Sequence, residues 1–214
     1  MATNTIDPEK TSLKLDIVVE RTSTPREGRE NQVYSSKDNA RLVAGGVILD
    51  KEKKRVLLIS SSKHKDRWII PKGGIEKDEI DNFAKAALRE TWEESGAICE
   101  IVKKLPSIPD HRKDLKIDNS KPLKYPLCEF HFYQMTPIQL EQEWPESNSR
   151  LRRWANYEEA KHELLKSKRP ELLHALDVSD IVKNDAELLE YDSNNHMIDA
   201  ELEIDDYDHI EPST

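Results

Sequence analysis

Three glutamates within one short segment, Glu90, Glu93 and Glu94, constrain this chain more than any other feature. At helical spacing the pairs Glu90–Glu94 and Glu90–Glu93 stand one turn apart, so all three carboxylates share a face. Like charges so placed repel, and a helix that keeps them needs a compensating cation. Arg89 reaches Glu93 at i+4 and is expected to hold that carboxylate ionised. A hard divalent cation compensates more fully, since Mg2+ takes oxygen ligands and keeps positions for water and phosphate. The competing reading is a solvated charged face. Against it stand the Gly73-Gly74 pair ahead of the segment and Gly96 directly behind it.

The spacing predicts a helix from Asn82 to Ser95, with Phe83, Ala86, Ala87 and Thr91 on its buried side and Gly96 as its C-terminal cap. Upstream, Arg41 to Asp50 reads as a strand. A charged turn follows, then a second strand, Val56 to Ile59, and the two together suggest a hairpin. Ser60 to Asp66 is a polar loop, and Trp68 to Ile70 a short strand stopped by Pro71 and the two glycines. Downstream, strands are expected near Ala97–Val102, Leu127–Met135 and Arg153-Trp154. A long loop spans Pro106 to Pro126. Asn156 with Glu159 forms a capping box for a helix reaching Ser167, and Pro170 opens a last helix over Glu171–Leu176. Strands mixed with helices predict an α/β sandwich.

The 214 residues suffice for one domain with tails, expected as a flexible segment 1–24, a domain 25–183 and an acidic tail 184–214. The net charge of −9 is misleading, because the tail holds eleven Asp/Glu and no Lys/Arg; the remainder has 31 acidic and 33 basic residues, or +2. A slightly basic body suits an anionic ligand. No apolar run approaches the roughly 20 residues that span a bilayer, and the first ten residues lack the apolar core of a secretory signal. Cys99 and Cys128 are far apart and fit reduced thiols in a cytoplasmic or nuclear protein, excluding a disulfide scaffold or a Cys-rich zinc site.

The segments Gly73–Glu79 and Arg89-Glu90-Thr91-Trp92-Glu93-Glu94-Ser95-Gly96 together resemble the Nudix box, the signature of Nudix hydrolases. That pattern places one more glutamate between the glycines and the Arg-Glu pair. Counted forward from Gly74 the position holds Ile80, and counted back from Arg89 it holds Asp81. The loop is therefore one residue longer than the pattern, with Glu79 and Asp81 flanking the slot. Thr91 and Ala97 also replace bulkier aliphatic residues. The resemblance implies a Nudix-type α/β/α sandwich with a mixed sheet, and hydrolysis of a diphosphate linked to another moiety. By matched position Glu90 and Glu94 would bind the metal, and Glu93 would bind metal or act as the base. A carbonyl at Lys72-Gly73 would complete the metal site. Mg2+ is the expected cofactor, with Mn2+ as the alternative.

Ser61-Ser62-Lys63-His64, Asp66-Arg67-Trp68 and Pro71-Lys72-Gly73-Gly74 resemble the diphosphoinositol polyphosphate phosphohydrolases, a group that also cleaves diadenosine polyphosphates. The stretches Arg26–Tyr34, Glu129–Tyr133 and Lys168–Leu173 resemble its fungal branch. By matched position Arg41, Ser61, Ser62, Lys63, Lys72, Gly73, Gly74, Arg150 and Arg169 would hold the polyanion, with Arg29 as a further contact. Charge-assisted bonds from separate segments suit a ligand carrying many phosphates. The expected partner is thus a small polyphosphate, inorganic polyphosphate included, bound by a monomer that engages no membrane, with nucleic acid the less favoured ligand. Two other readings stay open. One is action on capped RNA or nucleotide sugars; the other is a non-catalytic module that binds inositol phosphates or RNA. Arg112, Lys113, Lys116, Lys121 and Lys124 form either a lid over phosphate or a solvated insertion. The tail either solvates the chain or covers the basic pocket.

Overall fold

A computed structural model describes residues 20–26, 28–110 and 127–183. The expectations for the N-terminal segment before residue 20, the basic loop and the acidic tail lie outside these residues.

Among the described residues, eight strands and three α-helices follow in the order β1 (Arg41–Ile48), β2 (Val56–Ser60), β3 (Trp68–Ile69), β4 (Lys72–Gly74), α1 (Phe83–Ser95), β5 (Ala97–Lys104), β6 (Ile108–Pro109), β7 (Cys128–Leu140), β8 (Arg152–Ala155), α2 (Tyr157–Lys166) and α3 (Pro170–Asp177). The main sheet runs β4-β1-β7-β5, with β6 also on β7. It is mixed: β1 and β7 are parallel from Arg41↔Cys128 to Ile48↔Met135, and every other pairing is antiparallel. A smaller sheet runs β3-β2-β8.

β1 is buried almost end to end, as a strand covered on both faces must be. Its alternate side chains enter two cores. Leu42, Ala44 and Ile48 join Tyr133 and Met135 beneath Ala84, Ala86 and Ala87 of α1. Val43, Val47 and Leu49 join Phe130, Phe132 and residues of β2, α2 and α3 on the other side. The mixed α/β architecture matches the expectation.

The expected β1–β2 hairpin does not form. Asp50 closes the turn, its Oδ1 accepting the N–H groups of Lys54 and Arg55, but the strands share only the bridge Leu49↔Val56 among the described residues. Both edges of β1 are taken by β4 and β7, so β2 pairs in the smaller sheet. The glycine pair also differs from expectation, forming part of β4 rather than only stopping β3. Beyond α3, Asp180 accepts hydrogen bonds from Lys103, Gln134 and Lys53, and the Val182 N–H donates to the Lys53 carbonyl at 2.8 Å. The bonds from Lys103, then Gln134, hold the Asp180 carboxyl well below the usual carboxylate range.

His131 of β7 lies opposite Ala44, edge-on to Phe83 at 4.8 Å, with both ring nitrogens buried and without a hydrogen bond. Burial lowers its pKa, partly opposed by Glu129, whose carboxylate stands 3.2 Å from Nε2. Below about pH 6.5 the unfolded chain binds a proton there that the folded chain resists. His131 thus favours folding fully above that pH and progressively less below it. The carboxylates of α1 titrate with the opposite sign, so the contrast with a variant is the measurement. Between about pH 8 and pH 5, the urea midpoint of the protein should fall further than that of His131→Leu; parallel curves would remove this role.

Candidate functional site

The local sequence sets α1 firmly. The Asn82 side chain accepts the Ala84 N–H at its start, and Gly96 takes φ 65°, the left-handed conformation glycine adopts without penalty. The last carbonyls of a helix lack partners within it, and here the β7–β8 loop supplies several. Glu146 N–H donates to the Glu93 carbonyl at 3.1 Å and Glu141 N–H to the Gly96 carbonyl at 2.9 Å. Arg152 Nη1 reaches the Ser95 carbonyl at 2.7 Å while its guanidinium lies over the Trp144 ring.

Arg89 is the hub of the acidic cluster. Its Nε and Nη2 donate to the two oxygens of Glu79 at 2.7 and 2.9 Å, and Nη2 also to the Gly74 carbonyl at 2.9 Å. Its Nη1 donates to Glu90 at 2.7 Å and Glu93 at 3.2 Å. All five donors of the fork are thereby engaged. Glu79 in turn accepts the Glu76 N–H at 3.0 Å, closing the 3-10 turn over Lys77–Glu79.

This geometry decides which residue answers to the first acidic position. Glu79 is 4% exposed and gripped by Arg89; Ile80 is 57% exposed, and Asp81 pairs with Lys85 on the surface. The glycine to count from is therefore Gly73, with five residues between it and Glu79; on that count the segment is two residues longer than the pattern, and both extra residues fall between Glu79 and Arg89.

β4 brings the backbone of Lys72-Gly73 against the same helix face. Lys72 N–H donates to Glu94 Oε2 at 2.7 Å. A Cβ at Gly73 would overlap the Glu90 carboxylate as it is placed here, so any larger residue would have to push that carboxylate aside. Glu93 Oε1 is buried with no hydrogen-bond partner. Burial, aided by Glu90 and opposed by Arg89, pushes the Glu93 carboxyl up to about 7. Arg89 reaches Glu93 as expected and lowers its pKa, without cancelling the effect of burial. Burial likewise raises Glu90 and Glu94.

Among the described residues no three acidic, His or Cys side chains already converge on one point. The donor set still suits a hard divalent cation: two carboxylates abut one dipeptide, all donors are oxygens, and one buried oxygen lacks a partner.

Other expected residues lie around this centre. Lys72 feels Glu94, Arg169, Arg150 and Glu90, and burial lowers its pKa. Arg150 is buried against Glu94, and Arg169 precedes α3, half-exposed beside Glu171. Arg41 Nε donates to Gln32 at 2.6 Å, and Gln32 lies against Gly74. Ser61, Ser62 and Lys63 form the turn after β2, closed by Ser61 N–H to the Arg67 carbonyl at 2.8 Å. Arg29 is exposed and lends its carbonyl to the Gln32 N–H.

Three participants were not anticipated: Gln32, Glu146 and Arg26. Arg26 pairs with Glu76 and Asp78, its backbone N–H faces Glu93, and nearby the Thr22 carbonyl accepts Trp92 Nε1 at 3.0 Å. Arg26 and Gln32 lie in a stretch whose only sequence signal is its family resemblance, and nothing local marks Glu146.

A family profile described as the NUDIX domain matches residues 40–176. Among curated proteins, the human diphosphoinositol polyphosphate phosphohydrolase 3-alpha is 34% identical over 107 residues, covering 49% of this chain and 57% of its own. An RxLR effector protein of Phytophthora infestans is 47% identical over 73 residues, covering 32% of this chain and 26% of its own. The chain thus spans between about a quarter and just over half of these relatives' lengths. Among solved structures, a C. elegans Ap4A hydrolase aligns with TM-score 0.44 at 18% identity, over 64% of this chain and 96% of that one. With the profile spanning more than half its length, the chain belongs to the NUDIX family.

Proposed function

We propose that this protein is a Mg2+-dependent phosphoanhydride hydrolase that removes the β-phosphate of diphosphoinositol polyphosphates and also splits diadenosine polyphosphates. The observation that carries the reading is the buried, unpartnered Glu93 Oε1, held at a fixed place by the Arg89 contact to its other oxygen. An ionised oxygen so placed can take a proton from an attacking water. The water oxygen bonds to phosphorus, the anhydride P–O bond breaks, and the leaving oxygen departs with the remainder of the ester. NUDIX hydrolases generally use divalent metal ions such as Mg2+. Glu90 and Glu94, with a carbonyl at Lys72-Gly73, would hold it; it supplies Lewis acidity and neutralises phosphate charge.

Lys72, whose amide meets Glu94, lies within electrostatic reach of Arg150 and Arg169, and Arg41 stands beyond Gly74 through Gln32. Such separate donors favour a ligand with several phosphates. The name of the human relative supports the inositol substrate, and that of the nematode structure is consistent with the dinucleotide. Among the described residues no helix is long and apolar enough to cross a membrane. Neither Cys99 nor Cys128 is in a disulfide, and burial pushes the Cys99 thiol up to about 12.

The test is a time course of phosphate release from a diphosphoinositol polyphosphate beside nucleotide release from diadenosine hexaphosphate, with Mg2+, Mn2+ or chelator. Both substrates should turn over with metal and stop with chelator. Turnover of capped RNA or a nucleotide sugar alone would replace the substrate assignment, and no metal-dependent turnover of any of them would replace the enzyme by a binding module.

A further inference from the structure

Arg150 lies 56 residues along the chain from Glu94 yet meets it in a buried ion pair, both side chains 7% exposed. Its guanidinium has two other anchors. Nε donates to the Glu146 carboxylate, and Nη1 to the Ser60 carbonyl at 3.0 Å. Glu146 is itself fixed to the catalytic helix by its N–H on the Glu93 carbonyl. The contacts therefore close a ring from the α1 backbone through Glu146 and Arg150 back to the Glu94 side chain. Both oxygens of Glu94 are occupied in that ring, Oε1 by Arg150 and Oε2 by the Lys72 N–H.

A bare carboxylate at this depth would be strongly disfavoured, and Arg150 supplies the missing charge. A divalent cation ligated by Glu94 would stand beside the same oxygen as a fixed guanidinium, and two cations sharing one carboxylate repel. We propose that Arg150 is the resident counter-ion of Glu94 and that a divalent cation competes with it for that carboxylate. Glu146 and the Ser60 carbonyl keep the displaced guanidinium next to the site rather than releasing it to solvent. Metal loading then replaces Arg150 by the metal at the Glu94 oxygen, and it leaves Arg150 with an uncommitted Nη2 within electrostatic reach of Lys72. This inference rests on the reading of Glu94 as a metal ligand.

The full chain is titrated calorimetrically with Mn2+ alone at about pH 8, where carboxylates are ionised, as wild type, Arg150→Gln, Arg150→Met and Glu94→Gln. Arg150→Gln retains a donor for the Ser60 carbonyl, so it tests the charge should Arg150→Met not fold. The Arg150 variants should bind Mn2+ about fivefold tighter or more while melting lower than wild type in chelator. In wild type, Mg2+ should shift the Arg150 Nε–H resonance saturably, with the midpoint of the metal's own binding curve. Unchanged or weaker Mn2+ binding by the Arg150 variants, or an unmoved resonance, overturns the competition. Wild-type Mn2+ affinity in Glu94→Gln overturns instead the reading of Glu94 as a ligand.

Discussion

Replacing Glu93 with Gln lowers the rate of phosphate release by a factor of about 10²–10⁴, the range of a lost general base, and leaves the fold intact. The amide keeps the shape of the side chain and can still accept from Arg89, but it takes no proton from water. Stability should not fall with it. A carboxyl raised to about 7 is less favourably ionised when folded than when unfolded, so above that pH its charge weakens the native state. In chelator at about pH 8, Glu93→Gln should therefore melt at or above the wild-type temperature while turnover with metal disappears. Retained activity above a few per cent of wild type would assign the proton to another group.

Replacing Arg89 with Met has the opposite effect on stability, because it strips a buried acidic cluster of its counter-ion. The guanidinium is 3% exposed and neutralises Glu79, Glu90 and Glu93 at once. Removing one partner from a buried charge cluster costs about 3–5 kcal/mol, here by leaving the Glu79 carboxylate, 5% exposed, without its counter-ion. For a domain of this size that lowers the melting temperature by about 10 °C. Lys in its place recovers little, since one ammonium cannot span acceptors arranged for a planar fork. The double variant Arg89→Met, Glu79→Gln should regain part of the loss. A double variant no more stable than Arg89→Met alone would show that Glu79 is not the group left exposed to the penalty.

α1 was legible because its signals are local: the Asn82 cap, the alanines of its inner face, the Gly96 stop and the one-turn spacing of Glu90, Glu93 and Glu94 all lie within fifteen residues. Pairing partners were not. The turn at Asp50–Arg55 is a good turn, but a turn does not specify which edge of β1 remains open, and β4 and β7 had closed both. Gly73-Gly74 gave no strand signal, since glycine packs no side chain on a sheet; its place in β4 comes from pairing with Val43 and Ala44 of β1. β7 continues past the expected end at Met135 through Pro137, which sits where the β5 register slips and no ladder bond is demanded of it. The roles of Glu79 and Arg150 required the third dimension. One depended on which glycine the backbone placed beside Glu90, the other on a loop returning to α1 from the far side of the chain.

The Asp180 knot fixes more than the end of α3. Val182 is stitched to Lys53, beyond the end of β1 where Ile48 lies, while Arg41 opens the same strand about 23 Å away at 3.3 Å per residue. A fluorophore or affinity handle introduced at Lys183 would thus be moored at the end of β1 opposite Arg41, a convenient attachment point for immobilising the protein with the Arg41 end turned outward.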